Sequence, residues 1–148
     1  MNAAGSLYFA DEGYLTWQKN LVEPYLKQCQ KYAYFHSYDG AAIFYQQYLA
    51  AGADTCIVIS HGFSEFAEKY NEVIYYFLRQ GCSVYILEHR GHGYSEREVS
   101  DDQKVYIRDF EDYIKDLDCF MKKMNYRMER HRILFAHSMG GAVAARYI

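Results

Sequence analysis

The sequence has 148 residues, of which 51% are hydrophobic and 24% charged, and it contains a single proline. This length predicts one domain with a buried core, and the composition excludes a disordered, collagen-like or low-complexity chain. The net charge of −3 lacks the basic footprint of a nucleic-acid-binding protein, so no nucleic-acid partner is expected.

No segment of the sequence predicts export or membrane insertion. Residues 1–5 lack a basic region followed by an apolar stretch, and no apolar run approaches the roughly 18 residues of a spanning helix. The four cysteines form neither a CxxC pair nor a zinc spacing, so we expect free thiols, no metal and a cytoplasmic location. The 17 tyrosines indicate either an interface or lipid-contacting patch, or ordinary packing of half-exposed rings.

Hydrophobic periodicity divides the chain into a hairpin followed by alternating strands and helices. A helix started or interrupted near Pro24 is predicted first, and Asp39-Gly40 is a strong hairpin signal between two strands. Asp109 is a candidate N-cap for a later helix, with Asp112 in a capping-box position. The predicted helices are 12–31, 68–80, about 109–124 and 142–148, and the predicted strands are 32–38, 41–49, 55–60, 83–87 and 132–136. This order predicts a mixed sheet with helices on both faces.

The segment Ala136-His137-Ser138-Met139-Gly140 lies between a predicted buried strand and a helix. A nucleophile on a sharp strand-to-helix turn needs small residues two positions to either side, as in G-x-S-x-G, and here Ala136 replaces the first glycine. Such a turn would expose the Ser138 hydroxyl and aim the Met139 N–H at a developing oxyanion, with Ser138 as the catalytic nucleophile. The alternative is a small-residue turn that only lets a helix pack closely on a strand.

Two further loops follow the predicted central strands. His61-Gly62-Phe63-Ser64-Glu65 stands where a second oxyanion donor is needed, and the Phe63 N–H would be that donor. Glu88 to Ser95 includes Arg90-Gly91-His92-Gly93, in which Arg90 and His92 are expected to hold the loop. Its glycines do not form a dinucleotide-binding fingerprint, because no helix begins at once and the third glycine is missing.

Together these three segments resemble the α/β-hydrolase family, in the branch of monoacylglycerol lipases and lysophospholipases (the serine aminopeptidase S33-like group). Residues 61–70 are similar to H-G-x-x-E-H-x-x-R-Y, with Phe66 in place of the histidine and Lys69 in place of the arginine. Residues 90–95 match R-G-H-G-x-S, and residues 137–141 match H-S-M-G-G. The resemblance implies an α/β-hydrolase fold over roughly Ala33 to the end, with residues 1–31 as a helical extension of one domain that is incomplete on its C-terminal side. The supporting loop residues it implies are His61, Gly62, Glu65, Arg90, Gly91, His92, Gly93 and Gly140.

The resemblance also implies a Ser–acid–His triad in which the acid and the histidine come later in the chain than the strand-to-helix turn that carries Ser138, the nucleophile elbow. Neither partner is present, because the sequence ends seven residues after Gly141. None of the six histidines is expected to replace the base, and the His137 side chain should point away from the Ser138 hydroxyl. The strand that ends at Ala136 is expected at an open sheet edge, which predicts a longer chain, a homodimer through this edge, or a fragment.

The expected function is that of a serine hydrolase that cleaves carboxylic esters, lysophospholipid or monoacylglycerol, through an acyl-enzyme and without a cofactor. The expected partners are an acyl ester or lipid substrate and a transient lipid surface. Two alternatives are a non-catalytic fragment or pseudo-enzyme and an S33-like peptidase. Haloalkane dehalogenases and epoxide hydrolases share the fold, but they need an aspartate where Ser138 stands.

Overall fold

A computed structural model describes residues 12–124 and 129–148. The strands are β1 (Gln30–His36), β2 (Ala42–Tyr48), β3 (Thr55–Ser60), β4 (Ser83–Leu87) and β5 (His131–Ala136). The α-helices are α1 (Tyr14–Trp17), α2 (Glu23–Cys29), α3 (Asn71–Arg79), α4 (Glu111–Lys123) and α5 (Met139–Tyr147). A π-helical stretch, Gln18–Val22, joins α1 to α2, and a 3-10 turn, Ala67–Tyr70, precedes α3.

The five strands form one mixed sheet in the order β1-β2-β4-β3-β5. β1 and β2 form an antiparallel hairpin, and β2 pairs antiparallel with β4. β3 lies parallel to both β4 and β5, with Ser60 opposite Leu87 on one side and Ala136 on the other. The carboxyl ends of these three parallel strands therefore meet at one edge of the sheet, where ligand sites form in open α/β sheets.

Helices cover both faces of the sheet, as predicted. The β-branched residues of β3 alternate between two cores, because successive side chains of a strand point to opposite faces. Ile57 and Ile59 pack against α2 and α3, whereas Val58 packs against α4 and α5. No helix within residues 12–124 and 129–148 is long and apolar enough to cross a bilayer.

The predicted boundaries of β3 and β4 are confirmed, and those of several other elements need correction. Pro24 lies in the first turn of α2, where its missing N–H costs nothing, and β1 starts two residues earlier than predicted. The predicted helix 68–80 is a 3-10 turn followed by α3, and Gly81 ends it with a φ of 79°. The helix predicted to start at residue 142 begins at Met139, directly after the turn.

The capping prediction for α4 is partly wrong. The Asp109 carboxylate does accept a hydrogen bond from the Glu111 N–H, at 2.9 Å, although the cap position itself is Phe110. Asp112 forms no capping box, because its carboxylate accepts the Tyr38 hydroxyl from the hairpin turn. At the start of α4, Asp109 therefore makes a local hydrogen bond within the helix terminus, whereas Asp112 makes a tertiary contact to the hairpin turn.

Strand β5 lies at the edge of the sheet, as predicted from the family topology. It pairs only with β3 in the part of the chain that the structure describes. Its outer side chains are accessible, with Ile133 51% and Phe135 37% exposed. Pairing of this edge with a second copy remains a prediction.

Candidate active site

Ser138 stands alone on a strained turn between β5 and α5. Its φ of 51° and ψ of −120° lie outside the regions that L-residues ordinarily occupy, and its side chain is exposed. Within the described residues the Ser138 hydroxyl forms no hydrogen bond to the protein. A strained, solvent-facing hydroxyl at the end of a parallel strand is the geometry expected of a nucleophile elbow.

Gly140 explains why this turn requires a small residue two positions after the serine. A Cβ at this position would collide with the Ser60 carbonyl oxygen and lie 2.5 Å from the His61 carbonyl oxygen. The first turn of α5 therefore rests directly on the backbone at the end of β3. Ala136 lies in the β3–β5 ladder opposite Ser60, where its methyl group is half-buried and tolerated.

A buried hydroxyl ties the elbow to the loops beside it. The Ser60 hydroxyl donates to the Gly140 carbonyl oxygen at 3.2 Å and lies 2.9 Å from the His89 Nε2. Since a serine has one hydroxyl proton, the His89 Nε2–H is the donor in the second contact. The His137 N–H also donates to the Ser60 carbonyl oxygen, at 3.1 Å.

Glu65 connects the loop after β3 to the elbow. Its Oε2 accepts the Gly62 N–H at 2.7 Å and the Tyr70 hydroxyl at 2.5 Å, and lies 3.2 Å from the His137 Nδ1. Burial disfavours the carboxylate, but these three hydrogen bonds outweigh it and lower the pKa of Glu65 to about 2. A Cβ on Gly62 would lie 2.8 Å from the Glu65 Oε2 and 3.0 Å from the His137 Nδ1, so the two loops are in direct contact.

The two predicted oxyanion donors are main-chain amides on these adjoining loops. Neither the Phe63 N–H nor the Met139 N–H is used by another group in the described ranges. The Phe63 ring is 58% exposed, and Ser64 adopts a positive φ of 58°, which turns the chain away after the donor. The Met139 amide is at the N-terminus of the nine-residue helix α5, whose dipole favours negative charge.

Three buried histidines form a cluster directly behind this edge of the sheet. The His61 ring centroid is 4.7 Å from that of His89 and 5.2 Å from that of His92, and Tyr113 of α4 packs 5.3 Å from His89. The His61 Nδ1–H donates to the Gly62 carbonyl oxygen at 2.7 Å, while its Nε2 accepts the His89 N–H at 2.9 Å. His61 is therefore neutral, in one tautomer, and links the loops after β3 and β4.

Burial lowers the pKa of all three histidines. That of His61 falls to about 4, and those of His89 and His92 also lie below the usual value. The His92 Nδ1–H donates to the Arg90 carbonyl oxygen at 3.1 Å. The His89 Nδ1 and the His92 Nε2 are buried without a hydrogen-bond partner among the described residues. These rings support the loops as neutral groups.

Arg90 holds the loop after β4 through ion pairs with one buried and one partly exposed carboxylate. Its guanidinium binds Asp116 of α4 in a bidentate manner, at 2.7 and 2.6 Å, and binds Asp39 of the hairpin turn at 2.9 Å. The Ser37 hydroxyl donates to the Asp116 Oδ1 at 2.5 Å, the same oxygen that accepts the Arg90 Nη2–H. The hydrogen bonds that Arg90 donates to Asp116 raise the pKa of Arg90, despite its burial, so the arginine stays charged.

Glu88 is a buried acid at the start of the same loop. It accepts the Ala67 N–H at 2.9 Å and the Tyr94 N–H at 2.7 Å, while burial raises its pKa. A Cβ on Gly93 would collide with the Glu88 carboxylate, so glycine is needed there. Gly91 has a φ of 78°, and its N–H donates to the Glu96 carbonyl oxygen at 2.9 Å.

The predicted residues thus gather at one edge of the sheet, in two groups. The first group adjoins the solvent-facing side of the elbow and consists of Ser138, Met139, Gly140, Phe63, Gly62 and Glu65. The second group supports the loops behind the first and consists of His61, Arg90, Gly91, His92 and Gly93. The described residues bring no histidine into hydrogen-bonding contact with the Ser138 hydroxyl. His137 instead faces Glu65.

Sequence reasoning missed three contributors to this arrangement: Ser60, Asp116 and the central position of His89. Asp116 did carry a signal, because a carboxylate on the same helical face as Tyr113, Leu117 and Phe120 implies a buried cation. His89 directly follows β4 and lies fully buried between Ser60 and Tyr113. Nothing in the local pattern around Ser60 indicates its bond to Gly140.

A largely parallel sheet with an antiparallel hairpin, and a serine on a strained turn at its carboxyl edge, define an α/β-hydrolase. The sequence profile of the family described as serine aminopeptidase, S33, matches residues 51–148. The chain belongs to this family, which confirms the resemblance seen in its motifs.

Individual relatives and structures agree with this membership. Lysophospholipase L2 of Escherichia coli (strain K12) is 32% identical over 117 residues, which are 78% of this chain and 34% of that protein. The monoacylglycerol lipase of Mycolicibacterium smegmatis is 34% identical over 92 residues, 62% of this chain and 31% of that protein. An esterase structure from Pyrococcus furiosus superposes with a TM-score of 0.64 at 27% identity, covering 79% of this chain and 45% of that one. The chain therefore spans about a third of the length of the curated relatives it matches.

Proposed function

We propose that this chain carries the nucleophile and oxyanion hole of a serine hydrolase that cleaves carboxylic esters, with lysophospholipid or monoacylglycerol as the substrate class. The observation that carries the proposal is the exposed Ser138 hydroxyl on a strained turn, beside two main-chain amides that the rest of the described protein leaves unused. The names of the lysophospholipase and monoacylglycerol lipase relatives support the substrate class.

In the proposed reaction the Ser138 oxygen forms a bond to the acyl carbonyl carbon. The Phe63 and Met139 amides hold the resulting oxyanion, and collapse of the tetrahedral intermediate breaks the bond to the leaving alcohol. The triad histidine that the family resemblance implies takes the Ser138 proton and returns it to the alcohol, and the triad acid orients that histidine. Water then hydrolyses the acyl-enzyme and regenerates the serine.

The supporting residues have separate proposed roles. Gly140 lets α5 rest on β3 and so fixes the Met139 amide, while Glu65 fixes the Gly62 peptide next to the Phe63 amide. His61 and Arg90 hold the two neighbouring loops in register. None of these groups needs to exchange a proton during the reaction.

A fluorophosphonate probe tests the nucleophile directly in the whole gene product that contains this chain. We expect covalent labelling of Ser138 that is abolished by Ser138→Ala and kept by Ser100→Ala, an exposed serine in the loop before α4. Labelling that survives Ser138→Ala would contradict the proposal. Absence of labelling in a folded protein would favour the non-catalytic alternative.

A second candidate is a peptidase, favoured by the description of the matched family. The two activities differ in the leaving group, which is an alcohol in an ester and an amine in a peptide. Parallel assays with a monoacylglycerol, a lysophospholipid and an N-terminally free aminoacyl anilide separate them. Turnover of the anilide alone, dependent on Ser138, would replace the esterase proposal by the peptidase one.

We also propose two interactions of this chain with other molecules. The exposed Ile133 and Phe135 on edge strand β5 support a homodimer through this edge, and the exposed aromatic rings support transient contact with a lipid surface. Size-exclusion chromatography with light scattering tests the first, and vesicle co-sedimentation tests the second. A monomer at high concentration, or no lipid association, would remove the respective proposal.

A further inference from the structure

An aromatic cleft lies on the hairpin side of the sheet, apart from the elbow. Its volume is about 400 Å³, within the range of small-molecule sites. The cleft is bounded by strands β1 and β2, the loop after β4 and the 3-10 turn before α3. Its lining consists of Gln30, Tyr32, Tyr34, Phe44, Gln46, Glu68 and Tyr94.

Four aromatic rings form most of the cleft wall. Phe44 is buried, and the rings of Tyr32, Tyr34 and Tyr94 lie around it with centroids at 5.9, 5.3 and 5.2 Å. The three tyrosines are nevertheless 69%, 53% and 66% exposed. Rings that are held in place at one side and open at the other leave aromatic surface accessible to a ligand.

The polar groups of the floor are already satisfied by one another. The Gln30 side-chain amide donates to the Tyr48 hydroxyl at 3.0 Å, and that hydroxyl donates to the Gln46 side-chain oxygen at 2.7 Å. Tyr48 itself is fully buried, so the floor is rigid. A ligand therefore gains little from hydrogen bonding to these two amides.

Glu68 is the one charged side chain among the lining residues. Its carboxylate forms no ion pair or hydrogen bond within the described part of the chain. Lys27 lines an adjoining hollow that shares Gln30 and Glu68 with the cleft, but no lysine or arginine lines the cleft itself. The site therefore combines four aromatic rings with one carboxylate.

We propose that this cleft binds a small molecule bearing a quaternary ammonium group of the choline type. Aromatic faces attract a cation without hydrogen bonds, and the effect is greatest for a cation that gives up its water easily. A trimethylammonium group meets both conditions, because it has no N–H donors to satisfy and its methyl groups pack against rings. Glu68 supplies the complementary charge at the rim. The proposal uses no part of the elbow and stands whether or not Ser138 is catalytic.

Calorimetric titration of the chain compares choline with its neutral isostere, 3,3-dimethylbutan-1-ol. We expect choline to bind about tenfold more tightly, since the two differ in charge but hardly in shape. Equal binding would show that the cleft takes apolar groups in general, and would overturn the proposal. No choline binding at millimolar concentration would also overturn it, including the case in which the chain binds only phosphatidylcholine vesicles, which would point to a membrane surface.

Variants locate the site. Tyr34→Leu and Tyr94→Leu are each expected to weaken choline binding about tenfold and Glu68→Gln a few-fold, whereas Tyr106→Leu, an exposed tyrosine outside the cleft, leaves it unchanged. The far-ultraviolet circular dichroism of each variant must match that of the parent chain. Choline binding that survives all three cleft variants in folded protein would place the ligand elsewhere and refute the assignment.

Discussion

The elbow and the loop after β4 support the same edge of the sheet in different ways. The elbow is fixed by backbone contacts. Gly140 packs against the carbonyl oxygens of Ser60 and His61, and Ser138 adopts the strained backbone conformation. The loop at residues 88–110 is fixed by side chains, with Arg90 paired to two carboxylates and Glu88 bound to two amides. The elbow should therefore be sensitive to added volume, and the loop to lost charge and to pH.

Removing the Asp116 charge should give the largest effect. Asp116→Asn leaves the buried Arg90 guanidinium with the partly exposed Asp39 and, 3.9 Å away, Glu98, and we expect a loss of about 3–5 kcal/mol in the free energy of unfolding. Urea denaturation measures the change. Asp118→Asn on the same helix breaks only the exposed pair with Lys122 and should cost less than about 0.5 kcal/mol. Similar losses in the two variants would contradict the difference between buried and exposed charge.

Acid should weaken the loop supports. The pKa of His61 is about 4 in the folded chain, against roughly 6.5 in the unfolded chain, so the unfolded state binds more protons between these values. Stability is therefore fully present above pH 6.5 and falls by about 3 kcal/mol as the pH drops to 4, with His89 and His92 acting in the same direction. Unfolding midpoints across this range test the slope.

The origin of that slope can be checked by substitution. His61→Gln should flatten the pH dependence, because an amide can donate to the Gly62 carbonyl and accept from the His89 N–H without titrating. His131→Gln, at an exposed position in β5, should leave the slope unchanged. A slope that persists in full after His61→Gln would assign it to other groups.

Added volume should disrupt the elbow. Gly140→Ala forces a methyl group against the backbone of Ser60 and His61, and we expect a loss of about 2–3 kcal/mol. Gly141→Ala adds the same methyl group where nothing lies within 4 Å, and should stabilise the helix by about 0.5–1 kcal/mol. Chemical denaturation of the two variants measures the difference in their free energy of unfolding. A Gly140→Ala variant as stable as Gly141→Ala would refute the close approach of Gly140 to the backbone of Ser60 and His61.

The smallest expected effect concerns backbone strain at Ser138. Ser138→Gly relieves a backbone conformation that costs other residues about 1–3 kcal/mol, so it should exceed Ser138→Ala in stability by about 1 kcal/mol after the entropy cost of glycine. Thermal unfolding of the two variants provides the measurement. If the alanine variant proves the more stable, the turn is not strained.

The sequence predicted the parts of the fold that depend on local pattern. The continuous β-branched run at 55–60 and the apolar run at 83–87 coincide with β3 and β4, because both faces of these strands are buried. The predicted start of α5 is three residues late, because the prediction assigns Gly140 and Gly141 to the turn rather than to the helix. At the site, the motifs identified which loops converge, but not how they are held.

The missing information lies in contacts between distant parts of the chain. The bidentate pairing of Arg90 with Asp116 and the Glu65–His137 contact join elements that no periodicity relates. The burial of three neutral histidines is likewise a property of packing around Tyr113, since a lone histidine in sequence has no burial signal. Such networks become visible only when the strand order is known.

The contact between Ser60 and Gly140 has a consequence for the timing of assembly. It joins residues 80 positions apart, whereas the hairpin of β1 and β2 closes through the turn at Asp39-Gly40. Closing a long loop costs entropy before any contact repays it, and parallel pairing is slow for this reason. The elbow should thus be among the last features to become native during refolding, well after the hairpin, and amide protection at Ala142 should appear later than at Ile43, which is paired with Phe35 in the hairpin.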